Sequence, residues 1–381
     1  MTGQFALTDD QLAIQEMARK FTADNITPHA GEWDETHHFP KEVIQQAGEL
    51  GFGAIYVSEE SGGIALGRLE AALIMEAMAY GCPATSAYIS IHNMAAWMID
   101  RFGGDAVKAK FLPELVTMEK IASYALTEPG SGSDAAALKT SAVKDGDHYV
   151  LNGTKQFISG SGYNDVYVVM ARTGDHKSKG ISCFVVEKGT EGLSHGAPEK
   201  KLGWNASPTA QLIFEDCRVP AENLVGAEGD GFRFAMAGLD GGRLNIGACS
   251  LGGAQRCLDE AVAYTKDRQQ FGQPIADFQN TQFMLADMAT ELEAARALLY
   301  LAAAKVTENA PDKTRFSAMA KRLATDSGSN VVNNALQLFG GYGYLKDYPI
   351  ERFWRDLRVH SILEGTNQVM RMIVGRDMLR Q

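Results

Sequence analysis

The sequence predicts an α+β chain built in three successive parts: helical, then β, then helical. Three observations carry this. Apolar residues recur at helical spacing from residue 8 to about 120. From about residue 122 to 223, short β-branched runs alternate with turn residues. After Gly229-Asp230-Gly231-Phe232, long segments rich in Ala, Leu and Met follow with short loops, the pattern of an antiparallel bundle. Domain boundaries are expected at these changes, giving 1–120, 121–228 and 229–381.

In the first part, Thr8-Asp9-Asp10-Gln11 reads as a cap, followed by a helix with Leu12, Ile14, Met17, Ala18 and Phe21 inward. Further helices are expected at 41–50, closed by Gly51, at 68–80, closed by Gly81, and at 86–101, ahead of Gly103-Gly104. His92 lies in the last of these and reads as a hydrogen-bonded core histidine. In the middle part, 149–153 reads as strand then turn, 165–171 and 181–186 as strands, and Lys144-Asp145-Gly146-Asp147 as a hairpin tip. The last part should hold helices at about 230–268, 276–308, 312–339 and from Thr366. Asp240-Gly241-Gly242-Arg243 interrupts the first of them. Each helix-interior Gly costs about 1 kcal/mol relative to Ala. A kink or room for a ligand is expected, with a helix-packing notch as the alternative.

The 381 residues suffice for a large core in two or three domains. A net charge of −11 speaks against gripping a phosphate backbone, so no nucleic-acid partner is expected. The five cysteines (Cys82, Cys183, Cys217, Cys249, Cys257) form no C-x-x-C pair and are odd in number, which argues for reduced thiols rather than a disulfide framework or zinc site. The eight histidines show no metal-binding H-x-x-x-H spacing. Met1 to Phe5 carry neither a basic run nor an apolar core, so neither a signal nor a transit peptide is expected. No apolar run reaches the length of a membrane span. These features fit a bacterial cytoplasmic protein, or a trimmed mature chain of the mitochondrial matrix.

Leu363-Glu364-Gly365-Thr366-Asn367-Gln368 is the most informative stretch. A carboxylate placed between an apolar run and a glycine loses solvation as an anion, and its pKa rises toward that of a general base. A solvated Glu ahead of a Thr-capped helix is the plain alternative. Tyr124-Ala125-Leu126-Thr127-Glu128-Pro129-Gly130-Ser131-Gly132-Ser133-Asp134 has small residues that let backbone N–H groups cradle a phosphate, with Thr127 and Ser133 as hydroxyl donors. It matches neither the dinucleotide G-x-G-x-x-G nor a P-loop. In Phe157-Ile158-Ser159 an aromatic and a hydroxyl two residues apart would share one face of a strand, as a wall and a donor beside a planar ring. Arg268, ahead of Phe271-Gly272, is suited to a pyrophosphate, or simply to a helix C-terminus. Gln337, ahead of Gly340-Gly341, offers a donor and an acceptor next to backbone that can approach a ligand closely, or a C-cap and turn.

Taken in order, these stretches resemble the acyl-CoA dehydrogenase family of flavoenzymes across nearly the whole chain. Phe214-Glu215-Asp216-Cys217-Arg218-Val219-Pro220 adds to the match. Tyr88-Ile89-Ser90-Ile91-His92-Asn93, Leu202-Gly203-Trp204-Asn205 and Gly241-Gly242-Arg243 resemble its isobutyryl-type branch. The resemblance implies an N-terminal helical domain, a middle β-barrel and a C-terminal four-helix bundle. It also implies a homotetramer with FAD at a subunit interface and an electron-transferring flavoprotein as electron acceptor.

Glu364 matches the base that removes the α-proton of an acyl-CoA substrate, with isobutyryl-CoA expected and butyryl-CoA or 2-methylbutyryl-CoA as alternatives. Matched FAD contacts are Tyr124, Leu126, Thr127, Gly132, Ser133, Phe157, Ile158, Ser159, Arg268, Phe271, Phe278, Gln279, Gln337, Gly340, Gly341, Thr366, Asn367 and Gln368. Ser133, Asp240, Arg243 and Gly365 match positions near the substrate. Members that carry the base on the bundle helix have it where this chain has Gly242. An oxidase, or a non-catalytic flavin- or CoA-binding protein on the same scaffold, are the readings that compete.

Overall fold

The first helix begins where its cap predicts. Thr8 Oγ1 accepts from the Gln11 N–H at 3.2 Å and Gln11 Oε1 accepts from the Thr8 N–H at 3.0 Å, a reciprocal capping box that opens α1 (Asp9–Phe21). The structure, a computed structural model, describes residues 6–380, so the leader expectation for Met1 to Phe5 lies outside the described residues. The inward face of α1 differs from expectation. Ala18 and Phe21 are buried, but Leu12 and Met17 face solvent and Gln15 takes the buried place. Gln11 Nε2 donates to Glu70 at 2.7 Å on the neighbouring helix. Docking there selects the 11, 14, 15, 18, 21 stripe, which excludes 12 and 17.

Helices α2 (Ala30–Thr36), α3 (Lys41–Glu49), α4 (Arg68–Ala79), α5 (Pro83–Phe102) and α6 (Asp105–Val116) complete the first part. His92 is the expected core histidine and also ties the helices to the sheet. Its Nδ1 accepts from the Ala122 N–H at 3.0 Å and its Nε2 lies 2.9 Å from the Leu115 carbonyl. Nε2 therefore carries the proton, and burial lowers the pKa to about 4, keeping the ring neutral.

The middle part is one sheet. Its strands are β1 (Ala122–Ala125), β2 (Ser141–Asp145), β3 (His148–Ser159), β4 (Val166–Arg172), β5 (Ile181–Glu187), β6 (Leu193–His195), β7 (Thr209–Pro220) and β8 (Leu224–Val225). They hydrogen-bond in the order β6-β7-β3-β2-β4-β5-β8, with β1 parallel to β4. Val166, Val168 and Met170 pack with α5 and α6 side chains such as Met94 and Phe111, while Tyr167, Val169 and Ala171 pack inside the sheet with Leu151, Phe184 and Phe214. Both faces are covered, which is why β4 and β5 read as continuous apolar runs. Residues 144–147 form the β2–β3 hairpin tip. The turn expected at Gly153 is instead a register shift within β3, which continues to Ser159. Gly153 has φ +145°, and a Cβ there would lie 2.6 Å from Thr140 Oγ1, so the close strand approach demands glycine.

The last part packs α7 (Gly231–Asp267), α8 (Gln279–Thr307), α9 (Lys313–Phe339) and α11 (Asn367–Met378), with the additional short helix α10 (Ile350–Arg358). α7 runs unbroken through Gly241-Gly242, contrary to the expected kink. It shares a hydrophobic core with α4 and α5, so the first and last parts are packed as one mass. Asp356 on α10 accepts from the Trp204 N–H at 2.5 Å, and a Cβ on Gly203 would strike the Arg355 backbone at 2.6 Å, which seats the sheet against the bundle. All five cysteines are buried and unpaired.

Beneath the 124–134 segment, Lys155 is fully buried. Its Nζ donates to Glu128 at 2.8 Å and to the Leu126 carbonyl at 3.1 Å. Glu128 also accepts from the Lys139 and Thr140 N–H groups. Burial lowers Lys155 to about 8 against the opposing pull of Glu128. Lys155→Met leaves a buried carboxylate without its cation and should cost about 3–5 kcal/mol. This reads as a lower denaturation midpoint, much of which Lys155→Met with Glu128→Leu should restore.

Candidate active site

Glu364 and Gly365 are two successive residues in left-handed backbone, with φ +54° and +87°. That conformation is unusual for a glutamate and turns both carbonyls inward, where two buried cations hold them. Arg243 Nε donates to the Glu364 carbonyl at 3.3 Å, and Lys321 Nζ donates to the Gly365 carbonyl at 2.8 Å. Thr366 then caps α11, its Oγ1 accepting from the Val369 N–H at 3.2 Å, so the tight turn and the helix start are one unit.

The Glu364 side chain lies against bare helix backbone. A Cβ on Gly242 would sit 2.7 Å from Glu364 Oε2, and a Cβ on Gly241 would collide with the Arg68 guanidinium. The glycine pair is therefore a landing place for two charged side chains on an intact helix. Glu364 Oε2 is buried and has no hydrogen-bond partner among the described residues. Desolvation raises its pKa from the ordinary 4.5 to about 7, opposed by Arg243 and then Lys321. A partly buried carboxyl of that proton affinity, with a free oxygen, can take or give a proton near neutral pH.

Around it, Asp240 accepts from Arg243 Nη1 at 2.8 Å and from Thr314 Oγ1 at 2.6 Å. The Tyr124 hydroxyl on β1 is buried without a partner among the described residues, and burial together with Glu364 raises its pKa. Arg68 stacks 3.6 Å over the ring of Tyr56, whose hydroxyl accepts from Asn245 Nδ2 at 3.2 Å. The site thus draws on α4, β1, α7, α9 and the 359–366 turn. Sequence reasoning missed Tyr56, Arg68, Asn245, Thr314 and Lys321. None had a legible local signal: Lys321 is followed by Arg322 and reads as an ordinary basic pair on a helix.

The expected cofactor residues fall into two groups. On the sheet, Gly132 and Ser133 are exposed, the Thr127 carbonyl accepts from the Gln156 N–H at 2.8 Å, and Phe157 is exposed. Phe157 has φ +58° at a bulge between Lys155 and Ile158, so the simple shared face with Ser159 gives way to an outward-pushed ring. The Leu126 and Ile158 side chains are core, leaving only their backbone for any ligand. At the far end of the bundle, Arg268 lies 5.5 Å from the Tyr342 ring centroid and lines a cavity of about 670 Å³ with Gly340 and Gly341. Phe271 is almost fully exposed and meets Phe278 edge-on; Gln279, next to Phe278, and Gln337, shortly before Gly340, are exposed. Along α7, Arg268 lies roughly 40 Å from Gly242, where the Glu364 carboxylate sits.

Gln368 is exposed, whereas the Asn367 side chain is engaged inside the protein, leaving its backbone for any ligand. That side chain is buried, with Nδ2 donating to Thr325 Oγ1 and Asp326 and Oδ1 accepting from Lys321.

Among the described residues, no helix is long and apolar enough to cross a membrane, and no cluster of His, Cys, Asp and Glu is arranged to hold a metal ion. Family models match the chain in three consecutive stretches: acyl-CoA dehydrogenase N-terminal domain at 8–119, middle domain at 123–217 and C-terminal domain at 229–379. The mitochondrial isobutyryl-CoA dehydrogenase of Dictyostelium discoideum is 57% identical over 98% of this chain and 90% of that relative. The mitochondrial isobutyryl-CoA dehydrogenase of Bos taurus is 52% identical over the same shares. The solved butyryl-CoA dehydrogenase of Megasphaera elsdenii superimposes with a TM-score of 0.96 at 41% identity, covering 99% of this chain and all of that one. The chain belongs to the acyl-CoA dehydrogenase family and is an oxidoreductase that acts on a CH–CH group with a flavin acceptor.

Proposed function

We propose that the chain dehydrogenates a short, branched acyl-CoA, isobutyryl-CoA to methacrylyl-CoA, with Glu364 as the base for the α-proton. The observation that carries this is the Glu364 carboxylate, unpartnered at Oε2, seated on Gly242 and raised to about 7. The Glu364 N–H, which makes no backbone hydrogen bond among the described residues, is the proposed donor to the thioester oxygen as enolate-like charge develops. Because the position of the alternative base is Gly242, Glu364 acts alone. Identity to relatives named isobutyryl-CoA dehydrogenase supports the branched substrate, whereas the butyryl-CoA dehydrogenase fold favours butyryl-CoA as the second reading.

The residues present fit FAD. A Cβ on Gly130, Gly132, Gly340 or Gly341 would meet nothing within 4 Å, so two stretches of backbone stand open to a ligand. Tyr124, Leu126, Thr127, Gly132, Ser133 and Phe157 to Ser159 would hold it on the sheet side, and Thr366 and Gln368 beside the base turn. Arg268, Phe271, Phe278, Gln279, Gln337, Gly340 and Gly341 are too far away along α7 to reach the same molecule from one chain. They would serve a second copy, which supports a homo-oligomer, a homotetramer by resemblance. When bound, FAD supplies the acceptor for the hydride that leaves the β-carbon. An electron-transferring flavoprotein is the proposed electron acceptor. Arg243, Asp240, Ser133 and Gly365 bound the substrate side. Arg243 and Asp240 are paired with each other, which makes them wall and support rather than free binding groups.

The direct test is flavin bleaching by isobutyryl-CoA against butyryl-CoA and 2-methylbutyryl-CoA, with aerobic peroxide formation as the mark of an oxidase. Glu364→Gln should keep bound yellow flavin and bind acyl-CoA while turnover falls at least about 10³-fold. Normal turnover in that variant sinks the base assignment. The rate of flavin reduction should rise with pH through about 7 and then level, because only the carboxylate accepts the proton.

The same group acts on stability with a defined sign. The fold favours the neutral acid, so stability declines as pH rises from 4.5 to about 7. Glu364→Gln should remove that decline, as thermal melts at pH 5 and pH 8 would show. Gly242→Ala should place a methyl against Oε2 and lower kcat at least about tenfold with flavin retained, since a displacement near 1 Å is costly to proton transfer.

A further inference from the structure

We propose that Lys321 is the positioning residue of the reaction: it fixes the place of the Glu364 carboxylate through the Gly365 carbonyl and supplies the positive charge that keeps that carboxylate ionised. The inference rests on Glu364 being the base. Lys321 lies in the middle of α9 and is fully buried, a rare place for a lysine. Two of its donors go to the turn that carries the base and to the helix start behind it. Nζ is 2.8 Å from the Gly365 carbonyl and 3.0 Å from Asn367 Oδ1. Asn367 is itself held by Thr325 and Asp326 from the next turn of α9. One ammonium thus clamps the residue after the base and the first residue of α11. Held this way, the left-handed pair at 364–365 cannot relax toward ordinary backbone without losing two charge-assisted hydrogen bonds.

The charge matters apart from the tether. Every charged or titratable group facing Lys321 bears on it. Asp326 on its own helix and Glu364 in the turn favour the ammonium, while Arg243 on α7 opposes it. Asp240 on α7 is committed to Arg243 and Thr314, and Arg371 on α11 draws on Asp326 at 3.6 Å. His360 in the turn is held neutral, its Nε2 accepting from Trp204 Nε1 at 3.2 Å and its Nδ1 against Ser250 Oγ. From α8 the neighbour is apolar, Leu299, which flanks Gly247 together with Lys321. Tyr124 on β1 faces Glu364 and Arg243 with a hydroxyl kept neutral by burial. Arg243 acts on Glu364 more strongly than Lys321 does, but it is paired with Asp240, whereas Lys321 makes no carboxylate ion pair among the described residues and meets the turn through neutral oxygens. Burial brings its own pKa down to about 8, so it is charged where the enzyme must work and loses that charge in mild alkali.

The experiment compares Lys321→Gln, Lys321→Met and Lys321→Arg as flavin-loaded proteins. The readouts are single-turnover flavin reduction by isobutyryl-CoA or butyryl-CoA from pH 5.5 to 9.5, and infrared titration of the carboxyl with isotope-labelled Glu. Lys321→Gln keeps donors for Gly365 but removes the charge. Its acid limb and the Glu364 carboxyl band should both move up by about one pH unit, an approximately tenfold loss below the limb that recovers at high pH. Lys321→Met should show the same shift and a lower plateau with KM little changed, because the tether is gone as well. Lys321→Arg should leave the limb where it is in the parent enzyme. An unmoved limb in Lys321→Gln at normal flavin content overturns the inference, even if Lys321→Met fails to fold. Glu364→Gln in the same series separates the two claims. If it turns over normally, the base assignment itself has failed. If it is inactive while the Lys321 limb stays put, only the role of Lys321 has.

Discussion

The structure depends on one contact, a carboxylate pressed against a helix that has been stripped of side chains to receive it. Glu364 reaches α7 at Gly242, where a single added carbon would collide with its Oε2. Bare backbone offers no hydrogen bond in place of water, so the carboxylate stays poorly solvated and its proton affinity rises. The helix gives up roughly 1 kcal/mol of propensity at each of two glycines to make that possible. It stays intact because α4, α5, α8 and α9 pack around it.

As the proposed base, Glu364 needs both a high proton affinity and a fixed position, and these requirements oppose each other. Cations that hold the turn also lower the pKa they surround. The arrangement separates the tasks. Arg243 and Lys321 bind the carbonyls of Glu364 and Gly365 rather than the carboxylate oxygens. Their charges are felt, but Oε2 remains free. Desolvation therefore outweighs both cations and leaves the carboxyl near 7.

The sheet and the distal end of α7 bear on a different constraint. The open glycines of the 124–134 segment belong to the sheet, and those of the 340–341 turn lie beyond the end of α9 beside Arg268 at the end of α7. A single chain offers two partial surfaces, each with exposed aromatic residues, Phe157 at one and Phe271 and Tyr344 at the other. Surfaces of that kind are commonly completed by association, which is the basis of the proposed homo-oligomer.

By itself the sequence determined the helix–β–helix order, the Thr8 and Thr366 caps, the 144–147 hairpin tip and the buried neutral role of His92. Each depends on neighbours a few residues apart or on a periodic pattern, so local chemistry suffices. It also singled out Glu364, through an apolar flank and a following glycine. What only the tertiary structure decided is what meets across long separations. The glycine pair at 241–242 read as a break, yet it is continuous helix, because the reason for the glycines lies in Arg68 and Glu364, far away in sequence. The Gly153 turn became a bulge because Thr140 lies against it. Leu12 and Met17 turned outward because docking against α4, not apolarity alone, chose the face. Lys321 stayed hidden for the same reason. A buried lysine takes its meaning from the carbonyl it reaches, and that carbonyl belongs to another element.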